Sequence, residues 1–144
     1  MSIIFLFTFI GKFPFSGKKK SGDNCFPLSM CMEMRVIKKS TSLLCPASLG
    51  NEDHIAFVEV LSTADTPGYE TFYTDIAKQW MKQGGVPHWN KQWTFLNNDL
   101  DIVKYLQEKY GTHLDTFKLV RKQLKVDPNN LFLNSTMAQV INEQ

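Results

Sequence analysis

Apolar residues along this 144-residue chain repeat with two different periods, and the change between them falls near residue 67. Residues 32–38 alternate as a β-strand does. One face of this strand would carry Met32, Met34 and Val36, and the other Glu33, Arg35 and Ile37. Residues 55–60 are almost continuously apolar, which is typical of a strand in the middle of a sheet. The turn-rich residues 46–53 connect the two predicted strands.

Beyond residue 67 the apolar positions follow the 3.6-residue period of amphipathic helices. The first predicted helix opens at Pro67, closes at Gly84-Gly85 and buries Tyr69, Phe72, Tyr73, Ile76, Ala77, Trp80 and Met81. A second begins near Asn98-Asp99, ends at Gly111 and buries Leu100, Val103, Leu106 and Tyr110. A third buries Leu114, Phe117, Val120 and Leu124 and stops before Asp127-Pro128, and a short fourth begins at Ser135.

Two strands followed by three or four helices predict an α+β fold rather than alternating βαβ units. The fold class is therefore α+β, with a small antiparallel sheet packed by three or four helices. Two strands alone make a poor sheet. We therefore expect this sheet to be part of a larger one that takes further strands from elsewhere.

The N-terminal residues 1–24 differ from the rest of the chain. The apolar run from Ser2 to Ile10 is too short to span a bilayer as a helix. A secretory signal carries its positive charge before the apolar run, whereas here the lysines at 18–20 follow it. We expect residues 1–24 to be a disordered tail foreign to the domain, for example from a mis-started reading frame, and residues 25–144 to form one domain.

Composition narrows the classes of function. The net charge is +2, with 43% hydrophobic and 21% charged residues, so nothing in the balance calls for nucleic acid. Cys25, Cys31 and Cys45 form no C-x-x-C pair, which favours reduced thiols and an intracellular setting. The three scattered histidines predict no metal site. The chain contains neither G-x-G-x-x-G nor a P-loop, and so no phosphate-binding motif of its own.

Two segments hold side chains suited to chemistry. Glu33 and Arg35 lie two residues apart on a predicted strand and share one face, where they could bind a small ligand or form a simple surface ion pair. The loop after the first helix carries His88, Trp89 and Lys91 within four residues. An ammonium fixed there could stabilise developing negative charge. The alternative is a packed loop with a solvated lysine.

These pieces occur in an order that resembles the aldonolactone oxidases, FAD-linked enzymes that include the D-arabinono-1,4-lactone, L-gulonolactone and alditol oxidases. The shared features are the Glu-x-Arg strand, the Cys45-Pro46-Ala47 turn, an apolar strand, a helix and the Pro-His-Trp-x-Lys loop. The tail is also similar, through Phe117, Arg121, Leu124, Asp127-Pro128, Phe132 and Asn134. The similarity covers about residues 32–141. The Asp-Pro ending also occurs in berberine-bridge-type flavoproteins.

The resemblance implies a C-terminal cap domain that forms the substrate side of an active site. A hydride would pass from a carbinol carbon of a sugar lactone or alditol to FAD, and oxygen or an electron carrier would then reoxidise the flavin, as in ascorbate biosynthesis. Glu33, Arg35 and Lys91 would be catalytic, and His88 and Lys91 would contact the cofactor. FAD would be held mainly by a partner domain absent from this chain, which would be inactive alone. Membrane association is common among eukaryotic relatives.

Two departures from the family pattern stand out. The stretch Leu124–Asp127 is two residues longer than the usual Leu-Asp-Pro spacing. Val58 and Val60 occupy a strand that often carries a polar residue in the family, so part of the substrate contact set is expected to be absent. A second hypothesis is therefore a non-catalytic binding module derived from the cap domain, and a third is the cap of a berberine-bridge-type enzyme.

Overall fold

The predicted α+β class is confirmed by a computed structural model that describes residues 2–8, 30–63, 65–93, 96 and 101–141. The strands are β1 (Ser2–Thr8), β2 (Met32–Lys38), β3 (His54–Leu61) and β4 (Val86–Pro87). The α-helices are α1 (Tyr69–Lys82), α2 (Ile102–Gln123) and α3 (Ser135–Ile141). The chain divides into two compact units. Met1–Lys39 with Gly50–Trp93 form the first, and Ser40–Leu49 with Thr94–Gln144 form the second.

The first unit contains one antiparallel sheet with the strand order β2-β3-β1-β4. The interior position of β3 confirms the prediction from its continuous apolar run. The two predicted strands are joined by two others, because β1 pairs with the whole of β3 from Ser2 opposite Leu61 to Thr8 opposite Ile55. The expected disorder of residues 1–24 therefore does not hold for Ser2–Thr8. A run rich in Ile and Phe favours the strand conformation, and β3 pairs with this run along its full length.

The pairing of β2 with β3 decides which side chains share a face. Glu33 lies opposite Glu59, and Arg35 lies opposite Phe57. Because side chains alternate along a strand, Val58 belongs to the other face, where it lies opposite Met34. The faces predicted for residues 32–38 are thus preserved, with the charged face of β2 next to Phe57 and Glu59.

Helix α1 follows the predicted apolar stripe, with Tyr69, Tyr73, Ile76, Ala77, Trp80 and Met81 buried. The Tyr73 hydroxyl donates a hydrogen bond of 3.0 Å to the Val60 carbonyl and so ties α1 to β3. The helix ends in a Schellman motif. Gly84, with φ of 88°, donates to the Met81 carbonyl, and Gly85 donates to the Trp80 carbonyl, both at 2.9 Å.

The second unit is built on α2, in which the second and third predicted helices join. They meet at Gly111, whose φ of 38° and ψ of −117° are non-helical and mark a kink. Asp101 caps the start by accepting a hydrogen bond from the Lys104 amide at 3.0 Å. The predicted start near residues 98–99, with Leu100, lies outside the described residues. No helix in the described ranges is long and apolar enough to cross a bilayer.

Helix α3 begins where the sequence predicts and packs on the first part of α2. The Gln107 side-chain amide donates to the Gln139 and Val140 carbonyls, both at 3.1 Å. The predicted burial of Val120 and Leu124 is wrong, since they are 38% and 68% exposed. Helix α3 is too short to cover the whole of α2. Its 7 residues span about 10 Å, whereas the 22 residues of α2 span about 33 Å.

The turn after α2 repeats the helix ending of α1 without a glycine. Lys125, with φ of 50°, donates to the Lys122 carbonyl at 3.3 Å, and Val126 donates to the Arg121 carbonyl at 3.1 Å. This turn lies within the longer stretch 124–127. An L-residue other than glycine adopts such a φ only at a cost in free energy.

The carboxylate of Asp127 organises the segment that follows, as expected for an Asx-rich helix stop. It accepts hydrogen bonds from the Leu131 and Phe132 amides at 2.6 and 3.0 Å, and from the Arg121 guanidinium at 3.3 Å. Burial would raise the pKa of Asp127, but these bonds together hold it below its ordinary value. The Asp-Pro ending is thus a structural turn.

The two helix endings predict opposite responses to substitution. Lys125→Gly relieves an unfavourable φ and should raise the free energy of unfolding by about 0.5–1 kcal/mol, whereas Gly84→Ala should lower it by about 1 kcal/mol. Urea unfolding of both variants measures the two changes. Lys122→Gly, inside the last turn of α2, is the control and should be destabilising. A loss of stability in Lys125→Gly would contradict the assignment of the turn.

Candidate functional site

Two carboxylates meet on one face of the sheet in the first unit. Glu33 on β2 and Glu59 on β3 are direct partners in the antiparallel pairing. Like charges at such positions repel, because the Cβ atoms lie only about 4.5–5.5 Å apart. The arrangement is therefore stable only with positive charge close by.

Arg35 supplies the positive charge beside Glu33. Its guanidinium donates to a Glu33 carboxylate oxygen at 2.8 Å, and both side chains remain open to solvent, at 69% and 42% exposure. The hydrogen bond and charge of Glu33, with a smaller effect of Glu59, raise the pKa of Arg35. Solvent screening keeps the contribution of such an exposed pair to stability small. Its geometry therefore suits ligand binding better than it suits holding the fold.

Lys91 supplies the positive charge beside Glu59. The Lys91 Nζ atom donates to Glu59 Oε1 at 2.8 Å, with only 27% and 11% of the two side chains exposed. This ion pair connects β3 to the turn that follows β4, although β1 lies between those strands. Removal of either partner would leave the other charge largely buried, which is costly.

The turn that carries Lys91 also fixes the histidine of the Pro-His-Trp-x-Lys loop. The Lys91 amide donates to the His88 carbonyl at 3.0 Å, and the Asn90 amide donates to His88 Nδ1 at 3.2 Å. Because Nδ1 accepts this bond, the proton of the neutral ring lies on Nε2. Burial, and secondly the charge of Lys91, lower the pKa of His88, while Glu59 opposes the shift. His88 is thus a neutral hydrogen-bond donor.

These groups surround a cavity of about 230 Å³, lined by Glu33, Arg35, Ile37, Phe57, Glu59 and His88. The volume is below the range of about 300–1,000 Å³ that is typical of pockets for drug-sized ligands. It suits one small polar molecule or the edge of a larger ring system. Carboxylate acceptors and cationic or imidazole donors lie side by side, so a ligand with several hydroxyl groups can be bound on both kinds of partner.

The structure brings most of the predicted site residues together. Glu33, Arg35 and His88 line the cavity. Lys91 is connected to it through Glu59 instead of lining it. Trp89 packs its ring edge-on against Trp93, with centroids 6.1 Å apart.

Glu59 is the residue that the sequence analysis missed. The only charged residue in the apolar run 55–60, it is 8% exposed at the wall of the cavity. The expected loss of part of the substrate contact set at Val58 and Val60 stays a prediction. Those two side chains belong to the opposite face, and the polar residue of the strand is the glutamate between them. A lone carboxylate in a buried strand is the signal that would have revealed it.

Ser48 and His113 in the second unit lie close together, but their hydrogen bonds do not fit a nucleophile–base pair. Ser48 Oγ lies 3.1 Å from His113 Nδ1, as in a nucleophile–base pair. The hydroxyl, however, donates its one proton to the Cys45 carbonyl at 2.8 Å, so the histidine must be the donor in the contact with Ser48. Cys31 and Cys45 are free thiols. The described residues contain no cluster of three or more side chains that could hold a metal.

Comparison with known families identifies the class of protein. The family model for D-arabinono-1,4-lactone oxidase matches residues 17–140, which is most of the chain and includes every residue of the cavity. The α+β chain is therefore of the oxidoreductase class. It belongs to the D-arabinono-1,4-lactone oxidase family. No curated protein and no solved structure matches it significantly.

The environment of His88 predicts its titration. Its pKa should lie below the ordinary value of about 6.5, because burial and Lys91 disfavour the charged ring. Lys91→Met should raise this pKa, whereas Glu59→Gln should lower it further. Ring resonances followed by NMR from pH 4.5 to 8 measure all three values.

The lowered pKa of His88 makes the stability of the folded chain depend on pH. The unfolded chain, with the higher His88 pKa, binds the proton first, so the folded state loses stability as the pH falls below about 6.5. His88→Gln should remove that part of the pH dependence, and His54→Gln, at an exposed position, is the control. A His88 pKa above 6.5, or one unchanged in both variants, would contradict the described electrostatics.

Proposed function

We propose that this chain forms the substrate side of the active site of an FAD-dependent sugar-lactone oxidoreductase, with a D-arabinono-1,4-lactone-like substrate. Family membership supports the class of reaction. The observation that carries the proposal is the cavity itself, in which acceptors from Glu33 and Glu59 lie beside donors from Arg35 and His88. A small polyhydroxylated ring offers hydrogen-bond groups of both kinds in a volume of this size.

The residues present fit a flavin only in part. A cavity of about 230 Å³ can take a sugar lactone or the edge of a flavin ring, but not a whole dinucleotide. Arg35 and His88 would contact that edge, since both line the cavity and both are hydrogen-bond donors, and Lys91 would act on it through Glu59. When bound, FAD supplies the acceptor for the hydride that leaves the substrate carbinol carbon. Its pyrophosphate would be held by a partner domain that carries the phosphate-binding residues.

The side chains of this chain would divide the remaining work. The Glu33 carboxylate accepts a hydrogen bond from a substrate hydroxyl and so fixes the orientation of the carbinol. Arg35 is held by Glu33 and keeps a positive charge where negative charge develops. His88 donates from Nε2 to an oxygen of the substrate. Such fixed donors lower the barrier because they need no reorganisation during the reaction.

Three substitutions test this division in a protein that contains both this segment and its FAD-binding domain. Glu33→Gln, Arg35→Ala and Lys91→Ala should each slow flavin reduction by about 100-fold or more, the usual effect of removing one fixed charge partner from an active site. Anaerobic mixing with D-arabinono-1,4-lactone, followed at the flavin absorbance band, measures the rate. Lys82→Ala, exposed in the last turn of α1, is the matched control and should leave the rate unchanged.

The outcome also separates the proposal from its alternatives. Wild-type rates in all three variants would remove the proposed roles. If no aldonolactone or alditol reduces the flavin, the result would favour the alternative hypothesis of a non-catalytic binding module. Thermal unfolding of Lys91→Ala is needed beside its rate, because loss of the ammonium leaves Glu59 largely buried without its partner.

A further inference from the structure

We infer that Glu59 is the positioning residue that makes this cavity selective for a neutral polyhydroxylated ligand over the corresponding anionic acid. The inference rests on the proposed function, which leaves open what the site excludes. It concerns a residue that lies at the wall of the cavity, 8% exposed, and is bonded to Lys91. The property in question is the balance of charge around the ligand.

The charges around the cavity balance one another. Two carboxylates, Glu33 and Glu59, are each bonded to one cation, Arg35 and Lys91, at the same distance of 2.8 Å. His88 beside them is neutral, as its lowered pKa requires at pH 7. The site therefore carries no net charge. A ligand that brings a carboxylate of its own meets two others across the strand pair and finds both cations already engaged.

The position of Glu59 lets its charge act on both Arg35 and His88. It is the direct strand partner of Glu33, and its charge raises the pKa of Arg35, beside the larger effect of Glu33. It also opposes the lowering of the His88 pKa by burial and Lys91. Glu59 thus acts on the groups at both ends of the cavity.

Glu59 also fixes the position of the Lys91 ammonium. The ion pair crosses from β3 to the turn after β4 and holds the ammonium at the sheet. Without the glutamate, the site gains one positive charge, because the ammonium loses the carboxylate that balances it. A carboxylate can accept about four hydrogen bonds, so the contact with Lys91 leaves Glu59 able to accept from a ligand hydroxyl. Glu59 therefore both favours hydroxyl groups and restrains the lysine.

The test compares two probes with the same carbon skeleton, D-arabinono-1,4-lactone and its ring-opened anion D-arabinonate. Dissociation constants for the 144-residue chain are measured by NMR titration at pH 7 and low salt. The wild type should bind the lactone more tightly. Glu59→Gln should shift the ratio of the two constants toward the anion by about tenfold or more, as expected for one unit charge a few ångströms from the ligand.

Two further variants separate charge from folding. Glu59→Gln combined with Lys91→Met restores the charge balance and should return the preference to the lactone, which a merely structural defect would not do. Glu59→Asp keeps the charge and should keep the wild-type preference. If Glu59→Gln does not fold, Lys91→Met takes its place, because it leaves the site with one net negative charge and should shift the ratio further toward the lactone. Glu52→Gln removes an exposed carboxylate that does not line the cavity and should leave the ratio unchanged.

Each outcome bears on the inference. An unchanged ratio in Glu59→Gln, equal binding of the two probes by the wild type, or no binding of either would overturn it. The proposed function fails separately, when the flavin of the completed protein is not reduced although the ratios behave as expected here.

Discussion

The pairing of β2 with β3 is the constraint from which the rest of the site follows. Its register sets Glu33 against Glu59, and this arrangement would be unstable without positive charge on both sides. Arg35, two residues further along β2, supplies the positive charge beside Glu33. Lys91 supplies the charge beside Glu59 from a distant turn, and in doing so fixes that turn to the sheet. One register thus explains both the composition of the cavity and the position of the loop.

The two ion pairs differ in exposure, and the difference separates their tasks. The pair on β2 is open to solvent, so it adds little to stability and remains accessible to a ligand. The pair with Lys91 is largely withdrawn from water, so it holds the loop and the tautomer of His88 in place. A site with one accessible pair and one structural pair can bind a polar ligand without rearrangement, which favours tight orientation of that ligand.

Much of the fold was predictable because local patterns are strong in this chain. Alternation identified residues 32–38, and the stripe from Tyr69 to Met81 identified α1. Strand β1 was not predicted because its role depends on pairing with β3, whose partner residues lie 47 positions away at Thr8–Ile55 and 59 positions away at Ser2–Leu61. Glu33, Arg35 and His88 were found from spacing and family resemblance. Glu59 was not, because its partner is 32 positions further along the chain.

One face of the sheet, between Glu33 and His88, is the proposed binding site for a small polyol. Chemical-shift mapping of the wild-type chain with D-arabinono-1,4-lactone tests it most directly, because every backbone amide reports at once. The largest changes should fall on Glu33, Arg35, Glu59 and His88, with few in the second unit. Changes confined to the turn that contains Asp127, or no change at saturating lactone, would contradict the account.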